Sequence, residues 1–428
     1  MVPFSLSAAQ RSLELAQEAI YAGRYAQAIQ LSTDALDLLD SLPPSPEREA
    51  LRYSLLLERG RARVLTGDYE ALSDFQRVRE ESPDPAQRTE ALVGLADCHN
   101  GLGEYGLAEE EYRLAEQEAV VGNQDLNLIR AWTGLGNLYW KQGHVEDAIR
   151  ILRQARLRLQ RTPDVYELGR VMINLGIAHD FAGQLDQAIE AYEEALKCFR
   201  ALGNDHRAAA VLNNVGELFQ ELRDLERALS YHEEAAKLAD QVGANRIAVD
   251  VTRNIGVDLL LLGRYSEAMM CLHQALARAR EMRDKDLVLQ ALFSLGDAYL
   301  RQGEAQRALA IASELAAEAA AVGSELHQAR AKWLQGRAHL AQGERALAQQ
   351  VLQEALGNAH ALPSRWLLWQ LHATLGRATD DPQLAQVHFQ IAADFIQQIC
   401  DALTDPNLRA LFISQPEVRA VLQRINET

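Results

Sequence analysis

The sequence predicts an all-α protein, an α-solenoid superhelix of about ten stacked helical hairpins followed by a C-terminal capping helix. Two observations support this prediction. Glycines recur with a period of 40 residues, and helix-favouring residues dominate a composition that is 48% hydrophobic with only 11 prolines. Because 428 residues exceed what a single hydrophobic core usually supports, a repeating architecture is the expected organisation.

Charge and hydropathy argue against two classes of partner. The chain has 43 Lys and Arg against 60 Asp and Glu, a formal net charge of −17, and carboxylates are interspersed among its basic residues. We therefore expect no nucleic-acid partner, because binding to phosphates needs a basic surface. We also expect no membrane association, because no uncharged apolar window reaches the roughly 18 residues that a spanning helix needs.

The cysteines predict a reducing environment. Cys98, Cys198, Cys271 and Cys400 lie far apart and show no paired ligand spacing, which argues against a disulfide framework or a zinc site. Free cysteines usually behave as small core side chains. We therefore expect a cytoplasmic protein with no metal and no cofactor.

Small residues define the repeat. The first glycine of each unit is followed in most units by a second glycine seven residues later, where Arg223 is an exception, and two alanines follow the first glycine after 12 and 19 residues. The first glycines are Gly136, Gly176, Gly216, Gly256, Gly296, Gly336 and Gly376; the alanine pairs include Ala148 and Ala155, Ala188 and Ala195, Ala228 and Ala235, and Ala268 and Ala275. Helical spacing of apolar residues on both sides of the second glycine predicts helix A, a glycine turn and helix B.

One unit carries a family pattern. Its residues Trp132, Leu135, Gly136, Tyr139, Ala148 and Ala155 match W-x2-L-G-x2-Y…A, so the chain resembles tetratricopeptide repeat proteins. It is similar to the Pins/LGN and kinesin light chain adaptors and to peptide-responsive bacterial regulators, which have units of this length. The resemblance implies a right-handed superhelix in which helix A lines a concave groove and helix B the convex side. The period exceeds the usual 34 residues and Gln160 replaces the family's proline, so we expect longer helices.

The predicted units follow one another along the chain without another domain. They lie near 9–45, 50–82, 89–122, 129–162, 169–202, 209–242, 249–282, 289–322, 329–360 and 366–404, and a helical cap covers 405–428. The second unit is the weakest, because Leu72 and Arg79 replace its alanines and "SLPPSPE" is inserted before it. Leu408, Phe412 and Val418 give the cap an apolar face that would pack on the last hairpin.

No catalytic constellation is present in the sequence. There is no nucleophile motif and no phosphate-binding loop, and His99, His179 and His339 occupy the repeat position of Tyr139 and Tyr299, which favours core packing. A phosphatase like some bacterial repeat regulators would need a separate N-terminal helical bundle, whereas the first repeat begins within the first twenty residues. We therefore expect that the protein is not an enzyme.

An asparagine position recurs on the predicted groove. In "LNNVGELF", the helical phase places Asn213, Asn214 and Glu217 on the polar face of helix A, and Asn174 and Asn254 lie one period before and after Asn214. A primary amide both donates and accepts, so a ladder of amides could bind the backbone of an extended peptide. The alternative is that these amides hydrogen-bond between neighbouring helices or face water.

Arginines surround the amides. Arg130 and Arg170 share one repeat position, Arg253 adjoins Asn254, Asn137 follows Gly136, and Trp140 could form an apolar wall. Guanidinium groups suit carboxylates, so we predict an acidic or carboxylate-bearing partner segment. The alternative is that the arginines pair with Glu or Asp on an adjacent helix.

The predicted function is a non-enzymatic scaffold or adaptor that binds a peptide segment of a partner protein in the concave groove. The alternative is a regulatory protein in signalling that senses a peptide by changing the shape of its superhelix. Homo-oligomers through the end units are possible, although the net charge of −17 opposes them at low salt.

Overall fold

The structure, a computed structural model, describes residues 2–359 and 365–426. Within these ranges the chain forms 22 α-helices and no strand, which confirms the all-α prediction. The predicted ninth unit ends at residue 360 and the predicted cap at residue 428, and residues 360, 427 and 428 lie outside the described part. In the repeating region most helices have 17 residues, consistent with the lengthening expected from the 40-residue period.

The helices follow one another with short connections. They are α1 Val2–Tyr21, α2 Tyr25–Asp40, α3 Pro46–Thr66, α4 Ala71–Glu81, α5 Pro85–Leu102, α6 Tyr105–Val121, α7 Asp125–Lys141, α8 Val145–Leu159, α9 Val165–Phe181, α10 Leu185–Ala201, α11 Asp205–Leu222, α12 Leu225–Gln241, α13 Asn245–Leu261, α14 Tyr265–Glu281, α15 Lys285–Arg301, α16 Ala305–Ala321, α17 Glu325–Ala341, α18 Arg345–Ala359, α19 Arg365–Ala378, α20 Pro382–Ala402, α21 Pro406–Ser414 and α22 Pro416–Asn426.

The chain divides into two compact units, and the division runs through helices α9 to α11. Unit 1 comprises the residues up to Ala178 together with Ala191–Ala208. Unit 2 comprises His179–Glu190 and the residues from Ala209 onward.

The turn between helices A and B requires a left-handed residue. Gly143 lies two residues after the end of α7 with φ of +83°, and the next residue, His144, donates its backbone N–H to the carbonyl of Tyr139 at 2.8 Å. Glycine adopts this conformation without a steric penalty, which explains its recurrence seven residues after the first glycine. Arg223, the exception in the sequence pattern, adopts the same conformation with φ of +65°.

The first glycine allows the two helices of a hairpin to approach closely. A Cβ atom at Gly176 would lie 2.5 Å from Cδ1 of Tyr192 on helix B, and one at Gly256 would lie 2.9 Å from Cδ2 of Leu272. Real Cβ atoms do not approach other heavy atoms so closely, so only glycine fits. The recurring alanines of helix B are fully buried in the same hairpins: Ala148, Ala155, Ala188, Ala195, Ala228, Ala235, Ala268 and Ala275.

Unit 1 is closed by contacts between distant parts of the chain. The side-chain amide of Asn204 donates to the backbone carbonyl of Tyr21 at 3.0 Å, although the two residues are 183 positions apart. The ring of Tyr21 stacks on that of Tyr166 with 5.1 Å between ring centroids. The first hairpin therefore packs against α9 and against the segment that precedes α11.

Unit 2 is closed in a comparable way by its C-terminal helices. Arg365 donates to the carbonyl of Ala182 at 2.6 Å, again across 183 positions, and the amide of Gln415 donates to the carbonyl of Glu221 at 3.2 Å. The predicted capping segment consists of two helices, α21 and α22. Its apolar residues Leu408, Phe412, Val418 and Val421 are buried.

Among the described residues, none of the helices has the length and apolar character that a transmembrane span needs.

Replacing Gly176 by Ala should destabilise the protein by about 1–3 kcal/mol, because the new methyl group would overlap the rigid ring of Tyr192. Urea unfolding followed by circular dichroism measures this change. Gly106→Ala is the matched control, because a Cβ atom there would have no neighbour within 4 Å. The control should be neutral or stabilising by up to about 1 kcal/mol, since alanine favours the helix. Equal effects of the two substitutions would contradict the proposed role of the close approach.

Candidate functional site

Helix A residues of unit 1 form a buried network of opposite charges. Arg130 donates from Nε to Glu167 at 2.8 Å and from Nη1 to Glu90 at 2.6 Å. Arg61 donates to the same oxygen of Glu90 at 2.6 Å, and Arg170 donates to Glu167 at 2.9 Å. The network joins α3, α5, α7 and α9. The structure therefore shows the alternative for Arg130, which pairs with carboxylates on the adjacent helices α5 and α9, whereas Arg170 pairs with Glu167 on its own helix.

The electrostatics of Glu167 reflect this pairing. Burial alone would raise the pKa of its carboxyl, but the nearby Arg170 and Arg130 lower the pKa to about 2. A cavity of about 40 Å³ adjoins the network, and its lining includes Arg61, Arg130 and Arg170. Because a water molecule needs about 10–15 Å³ of such space, this cavity has room for a few water molecules.

The amides of unit 1 bond to one another between neighbouring helices. Asn100 donates to Asn137 at 3.0 Å, and Asn137 donates to Asn174 at 2.9 Å. Asn174 in turn donates to the backbone carbonyl of Arg170 at 2.9 Å. A ladder of amides therefore exists, but its members face each other. Trp140 is half-buried at the end of α7.

Unit 2 contains a similar amide pair, which consists of Asn213 and Asn254. The 40-residue period had instead related Asn254 to Asn214. Asn254 donates to Asn213 and to Glu217, each at 2.9 Å, and Asn213 donates to Asp250 at 3.2 Å. Asn254 is 0% and Asn213 is 5% exposed, so the expectation that they lie on an open surface is wrong. Asn214 is half-buried, and no other described residue forms a hydrogen bond with its side chain.

Arg253 and Glu217 form an ion pair beside these amides. Arg253 donates to Glu217 at 3.0 Å and to Asp250 at 2.8 Å, so its charge is already balanced. The Glu217 side chain remains 41% exposed, whereas that of Arg253 is 11% exposed. Glu217 is thus more accessible than Arg253, Asn213 and Asn254.

Sequence reasoning missed a pair of carboxylates close to Glu217. Burial and the charge of Glu217 raise the pKa of Asp180 to about 7. Glu221 is partly exposed to solvent. The surrounding protein shields its carboxyl from much of the water, and this shielding, together with the charges of Asp180 and Glu217, raises its pKa well above the ordinary value. These residues occupy different positions in their repeats, so no periodic signal connects them.

Sequence reasoning also did not include Trp333 among the predicted binding residues. The half-buried Trp333 stacks on Phe293 with 5.9 Å between ring centroids. The guanidinium of Arg330 lies 5.3 Å from the centroid of Phe293, and that of Arg337 lies 4.7 Å from the centroid of Trp333. Arg253, Phe293 and Trp333 are each one period apart and lie three residues before the first glycine of their units. A comparison of the residues at this repeat position could therefore have identified them from the sequence.

These groups lie on the A helices α11, α13, α15 and α17, and we call them together the unit 2 face, defined as Asn214, Glu217, Glu221, Arg253, Phe293, Arg330 and Trp333. Arg330 forms no ion pair with another described residue, and its pKa is lowered by burial and by the charge of Arg253. A free amide, carboxylates, a guanidinium and an aromatic pair together suit the binding of a peptide. Among the described residues, no group of three His, Cys, Asp or Glu side chains could hold a metal ion.

Comparisons with known proteins identify the repeat. The tetratricopeptide repeat family matches residues 87–156, 127–201, 167–241 and 245–317, which together make up more than half of the chain. No curated protein sequence matches the chain.

Several solved structures share the fold at low sequence identity. A Rap protein complexed with Competence and Sporulation Factor is 16% identical, with 98% of this chain and 99% of that chain covered and a TM-score of 0.52. NprR in complex with its cognate peptide NprX is 13% identical, with 80% and 98% covered and a TM-score of 0.59. Aspartyl phosphate phosphatase F from Bacillus subtilis is 15% identical, with 91% and 94% covered and a TM-score of 0.51.

Replacing Glu167 by Gln should destabilise the protein by about 3–5 kcal/mol at pH 7, because it leaves Arg130 and Arg170 without their shared carboxylate. The pKa of Glu167 is lowered in the folded state, so its stabilising effect is present above about pH 4.5 and is lost as the pH falls toward about 2. The difference between wild type and variant should shrink over the same range. Urea unfolding at a series of pH values measures it.

Glu194→Gln is the matched control, because Glu194 pairs with Arg156 at 2.7 Å at the surface of the same unit. We expect a change below about 1 kcal/mol for this exposed pair. A small effect of Glu167→Gln at pH 7 would show that the buried network contributes little.

Proposed function

The chain belongs to the tetratricopeptide repeat family, and on that premise we propose that it is a non-enzymatic scaffold or adaptor that binds a peptide segment of a partner protein in the concave groove formed by its A helices. Repeat proteins of stacked helices bind partners because they present a long surface that a chain can follow. The observation that carries the proposal is the unit 2 face, which combines a free amide with a half-buried aromatic pair.

The chemistry of this face supports binding in preference to catalysis. The rings of Phe293 and Trp333 offer apolar area, and the Asn214 amide can both donate to and accept from a peptide backbone. The charged groups of the unit 2 face are carboxylates and guanidiniums, which can form ion pairs with charged groups of a peptide. The residues of unit 1 predicted for binding, Arg130, Asn137, Trp140, Arg170 and Asn174, stay predictions; four of them would have to exchange the hydrogen bonds described above.

We propose a carboxylate-bearing segment as the partner, with Arg330 as its anchor. Burial and Arg253 lower the pKa of Arg330, so an incoming carboxylate would stabilise its charged form. Arg253 is already paired with Glu217 and Asp250, and it is therefore less suited to bind the carboxylate of a partner.

A second candidate is a regulatory protein that senses a peptide by changing shape. Structures of similar fold include NprR with its cognate peptide NprX and a Rap protein with Competence and Sporulation Factor, which favours a peptide as the ligand class.

The reducing cytoplasm is the location we propose, because all four cysteines are free.

The binding proposal is tested by selecting peptides from a displayed random library against the wild-type protein and measuring their affinity by calorimetry. Asn214→Ala and Arg330→Gln should each weaken binding at least about tenfold. Thermal melting should be unchanged for Asn214→Ala, because its amide has no hydrogen bond to lose within the described part of the chain. The matched control is Asn245→Ala, an exposed asparagine at the start of α13.

If no peptide is selected, or if Asn214→Ala and Arg330→Gln bind as tightly as the control, the unit 2 face does not bind peptides. Asn254→Ala separates binding from stability. It should lower the melting temperature, because it removes the donor to Asn213 and Glu217.

Small-angle scattering with a selected peptide distinguishes the two candidate functions. A sensor should change its radius of gyration when the site is saturated, because the ligand must favour one conformation over another. A scaffold should keep the radius of the free protein. Asn214→Ala supplies the comparison, since at the same peptide concentration it should bind less peptide and change its radius less than the wild type.

A further inference from the structure

Hydrogen-bond donors without partners lie where the first hairpin meets α9 and α11 in unit 1. The hydroxyls of Tyr25 and Tyr166 and the Nε atom of Arg207 are buried, and within the described part of the chain none of the three has a hydrogen-bond partner. Tyr25 is 3% and Tyr166 2% exposed. Because buried polar groups are almost always hydrogen-bonded, three unpartnered donors in one region indicate a site for a group that accepts hydrogen bonds.

Contacts between distant parts of the chain hold these donors together. Asn204 precedes α11, and its side chain accepts the backbone N–H of Arg207 at 2.9 Å and donates to the carbonyl of Tyr21 at 3.0 Å. The ring of Tyr21 in turn stacks on that of Tyr166. The first turn of α11 is therefore fixed against both the end of α1 and the start of α9.

Tyr25 contacts the same turn of α11. Its ring packs edge-on against that of His206, with 5.0 Å between ring centroids and 70° between the ring planes. Burial raises the pKa of Tyr25 to about 12, and the nearby guanidinium of Arg207 opposes this rise only in part. The hydroxyl of Tyr25 therefore stays protonated at neutral pH and can donate to a ligand.

The charge of Arg207 is not balanced by a carboxylate. Arg130 and Arg170 of the same unit each donate to a glutamate, whereas Arg207 forms no ion pair with any residue that the structure describes. Burial lowers the pKa of Arg207, yet the phenol groups of Tyr25 and Tyr166 bring it above the ordinary value, and no carboxylate contributes comparably. Because a partly buried guanidinium without a counter-charge is unfavourable, an incoming anion would stabilise it.

We propose that these groups bind the carboxylate of a ligand, and we call them the Arg207 site, defined as Tyr25, Tyr166, His206 and Arg207. A carboxylate accepts up to about four hydrogen bonds. The Nε–H and one Nη–H of the guanidinium can donate to its two oxygens side by side, and the two hydroxyls can donate to the remaining lone pairs. One bound carboxylate would thus give all three unpartnered donors an acceptor.

Charge balance favours a carboxylate over a phosphate. Arg207 supplies one uncompensated positive charge, because Arg170 is already paired with Glu167. His206 adds none, since burial and the charge of Arg207 lower its pKa to about 4 and leave the ring neutral at pH 7. A carboxylate carries one negative charge, whereas a phosphate group carries about 1.5 to 2 at this pH and would exceed the charge of the site.

A ligand can approach the Arg207 site from solvent. Arg207 and His206 are half-buried, whereas the two tyrosines are buried. Tyr166 also lines the cavity of about 40 Å³ that adjoins the charge network, so there is space on one side of the site. Because Tyr25 belongs to the first hairpin, Tyr166 to α9 and Arg207 to α11, a bound carboxylate would link three elements that are distant in the chain.

Ligand-observed saturation-transfer NMR with the full chain tests the proposal. The probes are acetate, as a free carboxylate, and N-acetylglycine, as a model of a peptide's terminal carboxylate, both at constant ionic strength. N-acetylglycinamide, which lacks the charge, is the control ligand, and inorganic phosphate is the competitor. We expect saturable binding of the carboxylates with dissociation constants of about 1 mM. Tighter binding of N-acetylglycine identifies a peptide carboxyl as the source, and equal binding identifies a small free carboxylate.

Arg207→Gln should weaken carboxylate binding at least about tenfold, because it removes the charge and the paired donors. Without ligand it should leave the melting temperature unchanged or raise it, since no ion pair within the described residues is lost. Arg153→Gln, which changes an exposed arginine of the same unit, is the matched control and should bind as the wild type does.

Tyr25→Phe tests the contribution of one hydroxyl. It should weaken carboxylate binding about three- to tenfold, and the melting temperature should not fall, because this hydroxyl has no hydrogen bond to lose within the described part of the chain. Tyr105→Phe is the matched control. Like Tyr25, Tyr105 is the first residue of a helix B, but it is 37% exposed. Circular dichroism melting of all four variants checks that they fold.

Carboxylate binding that Arg207→Gln and Tyr25→Phe weaken, and that both control variants retain, supports the proposal. Absence of binding at about 50 mM carboxylate overturns it, and so does binding that Arg207→Gln leaves intact. Equal binding of N-acetylglycinamide, or tighter binding of inorganic phosphate, overturns the assignment of a carboxylate. Asn214→Ala should bind acetate and N-acetylglycine at the Arg207 site as the wild type does, so failure of the unit 2 face to bind peptides would not affect this result.

Discussion

The hairpins depend on the close approach of helices A and B at one glycine. In several units the side chain that covers this glycine lies sixteen residues later: Tyr192 over Gly176 and Leu272 over Gly256. The residue that covers the glycine differs between units, so the close approach restricts the glycine position and not the covering residue. Because the contact fixes only the glycine side of helix A, residues elsewhere around the helix can vary from unit to unit. The residues of the unit 2 face are among those that vary.

The repeat, its turns and its fold family could be predicted because the contacts that impose them are local to one hairpin. The pairing of the asparagines could not be predicted in this way. The bond between Asn213 and Asn254 joins residues 41 positions apart, and those of unit 1 join residues 37 apart, whereas a period of 40 suggests Asn214 as the partner. Which amide meets its neighbour depends on the axial offset of adjacent helices, and that offset is not encoded in any single helix.

Comparing chemical types along one repeat position is more informative than searching for an identical residue. Three residues before the first glycine, the chain has Asn213, Arg253, Phe293 and Trp333 in consecutive units. This position therefore changes from an amide to a guanidinium and then to aromatic rings along unit 2. A search for recurring asparagines passes over it, although the stack of Phe293 on Trp333 is the most apolar part of the unit 2 face.

The contacts that close each unit have a consequence for synthesis. The hydrogen bond of Asn204 to Tyr21 and that of Arg365 to Ala182 each span 183 positions. An open array of repeats can fold progressively as each hairpin leaves the ribosome, because its contacts are only with its neighbours. Here the first hairpin cannot complete its contacts until the chain has been made as far as α11. The part of the first hairpin around Tyr21 that contacts Asn204 must therefore stay uncovered while the ribosome makes the intervening repeats.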